Sequence, residues 1–168
     1  GWRGGAPSIV VRAIEPPSAA QYRRGLRVAV VPTRKFEVGQ IDPQGKFSAR
    51  LGSVMAVMEA HVRGVDEAMF LDTMTGSVTE STASNLGLII DGALCGAPCW
   101  LGLLPGVTWH ALIEAAGALR LPVREAPLTR HEVYNADEAL LSSTIKEVIA
   151  VTQVDGRRIG TGRPGPIT

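Results

Sequence analysis

Residues 77–98 read SVTESTASNLGLIIDGALCGAP, and this stretch constrains the fold more tightly than any other. A polar loop separates the short β-branched stretch SVT from the apolar run LGLII. A third run follows an Asp-Gly pair, which closes tight hairpins because both positions tolerate positive φ. The pattern predicts strand, polar loop, strand, hairpin turn and strand, with antiparallel pairing.

Strands and helices alternate irregularly along the rest of the chain. PSIVVRAIEP, with Ile9, Val10 and Val11, reads as a strand bounded by prolines, and LRVAVVPTRK as another strand. SAAQYRRG between them is a short helical turn closed by Gly25. RLGSVMAVMEAHVRG sets Leu51, Val54, Met55, Met58 and Val62 at helical spacing with Gly64 as the stop. This predicts a helix whose methionines pack the core. DEAMFLD is a strand and TMTG a turn. LPGVTWHALIEAAGALRLP predicts a helix from about Thr108, with Val107, Ala111, Ala115 and Leu119 on one face. VREAPL is a strand, TRHEVYNAD a short helix capped by Thr129, and EALLSSTIKEVIAVTQVDGRRI two strands with a polar kink at SST. The sequence has no internal repeat. The expected class is mixed α/β (α+β) with much antiparallel pairing.

Composition narrows the function. The 168 residues are 45% hydrophobic and 20% charged, enough for one buried core. Basic and acidic residues, 17 and 16, are mixed along the chain, with no basic stripe to bind phosphate backbones. No apolar run approaches the roughly 18 residues of a membrane span, and no charged leader precedes an apolar segment, so cytoplasm is the expected location. Cys95 and Cys99 lack the second Cys or His pair of a zinc site and would close only a very short disulfide loop. They read as small buried thiols, and no metal is expected. His61, His110 and His131 are scattered and read as structural or surface residues. Both ends read as loops and the chain opens without methionine, which suggests a fragment or a mature piece of something longer.

Within this chain, arginine outnumbers lysine 14 to 3. Lys46, in IDPQGKFSARLG, stands between a turn and the predicted helix. A site that needs an amine able to lose its proton requires lysine there, because arginine cannot do so. TESTASN, residues 79–85, sets one carboxylate, Glu80, among small hydroxyl and amide groups. In LPGVT, residues 104–108, Gly106 and the first amides of a helix form an anion-binding terminus. SST, residues 142–144, offers further hydroxyls. Amine, carboxylate and phosphate cradle together match the requirements of pyridoxal phosphate.

DEAMFLDTMTGSVTESTASNLGLIIDG, followed by LPGVTWHALIEAA and the closing VTQVDGRRIGTGRPGPIT, resembles the class IV pyridoxal phosphate aminotransferases. That group includes branched-chain aminotransferases, D-amino acid aminotransferase and aminodeoxychorismate lyase. The resemblance runs from about residue 8 to residue 168. It implies the large C-terminal domain of the fold type IV enzymes, a mostly antiparallel pseudo-barrel with flanking helices.

The resemblance also implies residue roles. Lys46 matches the catalytic Schiff-base lysine, and Glu80 the acid that pairs with the pyridine nitrogen. Val107 and Thr108 match the residues that hold the phosphate, and Thr144 the later threonine that also reaches it. Ser84 and Asn85, with Ser81 and Thr82, match the loop that shapes the cofactor site. Lys35, the solvated end of a strand, and Lys146, which fits no family lysine, are the rivals to Lys46. Arg50 reads as a solvated or ion-paired residue, with approach to the phosphate as the alternative.

Three positions depart from the family pattern. Ala49 stands where Asn is frequent, Trp109 where an arginine is usual, and Leu51 where branched-chain aminotransferases tend to carry tyrosine. The Leu51 departure argues against branched-chain substrates. The family's smaller N-terminal domain is also missing, which implies a separate or cleaved N-terminal segment. The implied activity is amino-group transfer between an amino acid and a 2-oxo acid in a homodimer. Two alternatives are elimination of pyruvate from aminodeoxychorismate and an inactive fragment.

Overall fold

A computed structural model of the chain describes residues 9–34, 42 and 44–168. Among the described residues the strands are β1 (Leu26–Val30), β2 (Glu67–Leu71), β3 (Val78–Ser81), β4 (Asn85–Ile90), β5 (Ala93–Gly96), β6 (Val123–Glu125), β7 (Glu138–Ser143), β8 (Glu147–Val154) and β9 (Arg157–Arg158). The helices are α1 (Ala19–Arg24), α2 (Leu51–Val62), α3 (Val107–Ala118) and α4 (Arg130–Asn135), with one 3-10 turn at Cys99–Leu101. The class is mixed α/β. The order β3-β2-β1-β8-β7-β4, completed by β3–β4 pairing, closes six strands into a barrel, and β5 and β6 extend it beyond β4.

β1 runs parallel to β2 and β8, and β5 parallel to β6, while the other pairings are antiparallel. Parallel neighbours need a crossover connection, and α2 provides it between β1 and β2. Antiparallel neighbours need only tight turns. Asp91 and Gly92, at φ 49° and 69°, form the expected Asp-Gly hairpin between β4 and β5. Asp155 and Gly156 (φ 50° and 80°) form a second hairpin of this kind, ahead of β9. The sequence pattern by itself predicts one continuous strand there.

Alternation along the strands fills both sides of the barrel wall. Leu26, Val28 and Val30, Met69 and Leu71, Leu86 and Leu88, and Ile149 and Val151 belong to one large buried cluster. On the outer face of β2, Ala68 and Phe70 pack with Ala56 and Ala60 of α2. Ile89, Leu94 and Leu140 pack under α3 through Ala116, with Trp109 and Leu112 beside them. Strands covered on both faces read as continuous apolar runs, as AMFL and LGLII do. Capping boxes start the short helices, Ser18 with Gln21 at α1 and Thr129 with Glu132 at α4.

Three expectations fail. Residues 9–18 form no strand, and Ile9, Val10 and Val11 are exposed. These side chains lie against no sheet edge, and the Pro16-Pro17 pair leaves two backbone positions without an N–H to donate. The α2 stripe does not enter the core. Leu51 is 73% exposed, Met58 61% and Val62 90%. The helix instead rests on Ala56 and Ala60, whose small side chains permit close approach to β2. On α3, Val107 and Leu119 face outward, while Trp109, Leu112 and Ala116 turn inward.

Candidate active site

The barrel register gathers polar residues of the neighbouring strands β3 and β4 with those of the distant β7. Glu80 is paired with Asn85 across β3 and β4, and Asn85 with Ser142 across β4 and β7. These rungs place the carboxylate, the amide and the SST segment side by side. A cavity of about 770 Å³ opens against them, within the usual range of ligand sites. Lys46, Glu80, Ser84, Asn85, Val107, Thr108 and Thr144 all line it.

Glu80, Ser84 and Asn85 are buried, whereas Lys46 and Thr144 are exposed. The Asn85 amide donates to Glu80 Oε2 at 3.1 Å and to the Leu104 carbonyl at 2.9 Å. The Leu104 N–H donates to the same carboxylate oxygen at 3.3 Å. The link ties the LPGVT turn to β3. The N-cap of α3 is Gly106, which offers no side-chain cap to the leading amides of the helix. Ser142 Oγ is buried on the cavity wall and has no hydrogen-bond partner among the described residues. An acceptor-rich ligand would satisfy such a hydroxyl.

Residues absent from the sequence-based site hold the loop at 82–84. Arg50 is exposed, as its reading as a solvated residue implies, and it also donates to the Thr82 carbonyl at 2.5 Å and lines the cavity. Glu67 accepts from the Thr82 hydroxyl at 2.6 Å and forms an ion pair with Lys146 at 2.5 Å. Lys146 also reaches Ser84 Oγ at 3.3 Å. A carboxylate heading the apolar strand β2 was the one sequence signal for this cluster, because a buried charge requires a partner. Lys35 lies outside the described residues.

The departures have structural settings. Trp109 lies over Gly87 and Gly96, which face each other across β4 and β5, and a Cβ on either glycine would overlap the indole. Ala49 and Leu51 both line the cavity. Cys95 and Cys99 are free, and burial raises both thiols. No helix among the described residues is long and apolar enough to cross a membrane.

The family model described as amino-transferase class IV matches residues 3–154. A putative branched-chain-amino-acid aminotransferase of Methanocaldococcus jannaschii is 36% identical over 165 residues, covering 98% of this chain and 56% of that protein. Among solved structures, the branched-chain amino acid aminotransferase of Escherichia coli superposes with a TM-score of 0.86 at 33% identity, covering 89% of this chain and 49% of the other. The branched-chain amino acid aminotransferase of Thermobaculum terrenum, solved in its PLP form, gives a TM-score of 0.83 at 30% identity, covering 90% of this chain and 50% of the other. The chain belongs to the class IV aminotransferase family. It spans about half the length of these relatives.

Proposed function

We propose that these residues form the large, cofactor-binding domain of a pyridoxal phosphate-dependent aminotransferase, which moves an amino group between an amino acid and a 2-oxo acid. The observation that carries this reading is the convergence of Lys46, Glu80, the α3 start and Thr144 on one cavity. The cavity suits the cofactor: a buried carboxylate faces an uncapped helix start, and an unpartnered serine hydroxyl lies on the same wall.

Lys46 would hold the aldehyde end and Glu80 the ring nitrogen. The Val107 and Thr108 amides, with the Thr144 hydroxyl, would hold the phosphate. Bound there, pyridoxal phosphate supplies an electron sink for the substrate α-carbon. The Lys46 amine would take up and return the substrate α-proton as general base and acid. Glu80 keeps a proton on the ring nitrogen. Asn85 and the Leu104 N–H orient Glu80, and Arg50 fixes the adjoining loop.

The names of the matched relatives support branched-chain amino acids as substrates and transfer rather than elimination. They weigh against the departure at Leu51. A homodimer would cover the exposed apolar side of α2, where Leu51, Met58 and Val62 stand in solvent. The free thiols support a cytoplasmic setting.

The test is to load the protein with pyridoxal phosphate, reduce with borohydride, and map the mass addition. Attachment to the peptide containing Lys46, lost in Lys46→Ala together with transamination of branched-chain amino acids, is expected. Attachment at Lys35 or Lys146 refutes the assignment.

A further inference from the structure

Lys146 has no part in the proposed chemistry, yet its ammonium ties the cavity-lining Ser84 to Glu67 of β2, which is not itself a lining residue. Its ammonium lies 2.5 Å from Glu67 Oε2 and 3.3 Å from Ser84 Oγ. These partners are 79 and 62 residues away in sequence, on β2 and on the loop that joins β3 to β4. Glu67 is 7% exposed, and its other oxygen accepts from the Thr82 hydroxyl at 2.6 Å and from the Ala68 N–H at 3.1 Å. The Lys146 main chain is held too: its N–H donates to Ser143 Oγ and its carbonyl accepts from the Tyr22 hydroxyl, both at 3.1 Å.

We infer that Lys146 is a positioning residue: clamped between Glu67 and Ser84, it fixes the separation between the 82–85 wall, which leads to Glu80 and Asn85, and the turn that carries Thr144. The inference rests on the proposed function, since it concerns the spacing between the ring-nitrogen and phosphate contacts of one ligand. A cofactor gripped at both ends is sensitive to that spacing in a way that fold stability is not. The amine engaged by Glu67 is correspondingly a strut rather than a second nucleophile.

The test compares wild type with Lys146→Met, Lys146→Arg and the double variant Lys146→Met/Glu67→Gln. Pyridoxal phosphate affinity is read by visible absorbance, and thermal unfolding is followed without cofactor. Lys146→Met is expected to weaken binding by about tenfold, the scale of coupling within one contact network. Lys146→Arg recovers most of that loss. The double variant removes the unpaired buried carboxylate, so its melting temperature recovers, while its affinity stays low because the Ser84 tie is still absent. If Lys146→Met does not fold, the double variant and the arginine variant decide. Wild-type affinity in the methionine variants, or affinity that recovers with melting temperature in the double variant, overturns the inference alone. Failure of wild type to bind pyridoxal phosphate overturns the proposed function and this inference with it.

Discussion

Gly106 and Gly117 both belong to the α3 region, and replacing each by alanine is expected to give effects of opposite sign. Gly106, the N-cap, has φ −71° and ψ 133°, a conformation open to any residue. Glycine is needed there for space, because a Cβ would fall on Asn85 Oδ1. The Asn85 amide cannot move aside without losing its bonds to Glu80 at 3.1 Å and the Leu104 carbonyl at 2.9 Å. Overpacking costs about 1–3 kcal/mol, and a lost hydrogen bond to a charged group about 1.5–3 kcal/mol. The two overlap, so Gly106→Ala should destabilise by about 2–4 kcal/mol. For a chain of this size that lowers the melting temperature by about 5–15 °C. At Gly117 an added Cβ meets nothing within 4 Å, so alanine should gain about 0.5–1 kcal/mol from helix propensity. Thermal unfolding by circular dichroism measures both, and a pyridoxal phosphate titration should show weakened binding only for Gly106→Ala. A Gly106→Ala protein that melts with wild type and binds equally well would refute the role given to the Asn85–Glu80 link.

The indole of Trp109 and the glycine slot beneath it should be coupled. Trp109→Ala is expected to cost about 2–4 kcal/mol, toward the lower end for aromatic truncation because the ring is only part-buried. Gly96→Ala should be harmful in wild type and nearly neutral in the Trp109→Ala background; equal costs in both would show that the two do not meet. Asp66 accepts two hydrogen bonds from Arg24, at 2.8 and 2.6 Å, and one from the Arg27 N–H at 2.8 Å. The Arg24 bonds hold its carboxyl below the ordinary range against the opposing effect of burial. That stabilisation is complete above the unfolded-state pKa of about 3.9 and drains away as pH falls through the lower folded value. Asp66→Asn should therefore lose about 1 kcal/mol at neutral pH, discounted for the exposed Arg24, and flatten the acid side of a urea-midpoint profile. An unchanged acid limb would rule out this ion pair as its source.

Much of the site was readable because its signals are short. Glu80 and Asn85 are five residues apart on adjoining strands, and LPGVT holds a turn, a helix start and its glycine in five residues. The loop partners were not readable. Glu67 and Lys146 sit in segments that look like an ordinary strand start and an ordinary turn, and only the barrel brings them together. Arg50, at the entry to α2, gave no sign that it would reach the Thr82 carbonyl.

The amino-acid order by itself determined most of the elements, because capping boxes, Asp-Gly turns and apolar periodicity are local signals. It did not determine the strand-free segment at residues 9–18 or the hairpin before β9. It could not determine which apolar stripe is covered. Periodicity gave α2 an apolar side at Leu51, Val54, Met55, Met58 and Val62, but contact with the sheet was won by Ala56 and Ala60. Whether a side chain is buried depends on the surface brought against it, and that surface comes from strands distant in sequence. Ring closure through β3–β4 and the crossover from β1 to β2 are likewise tertiary decisions, and they set the cavity walls around Glu80 and Lys46.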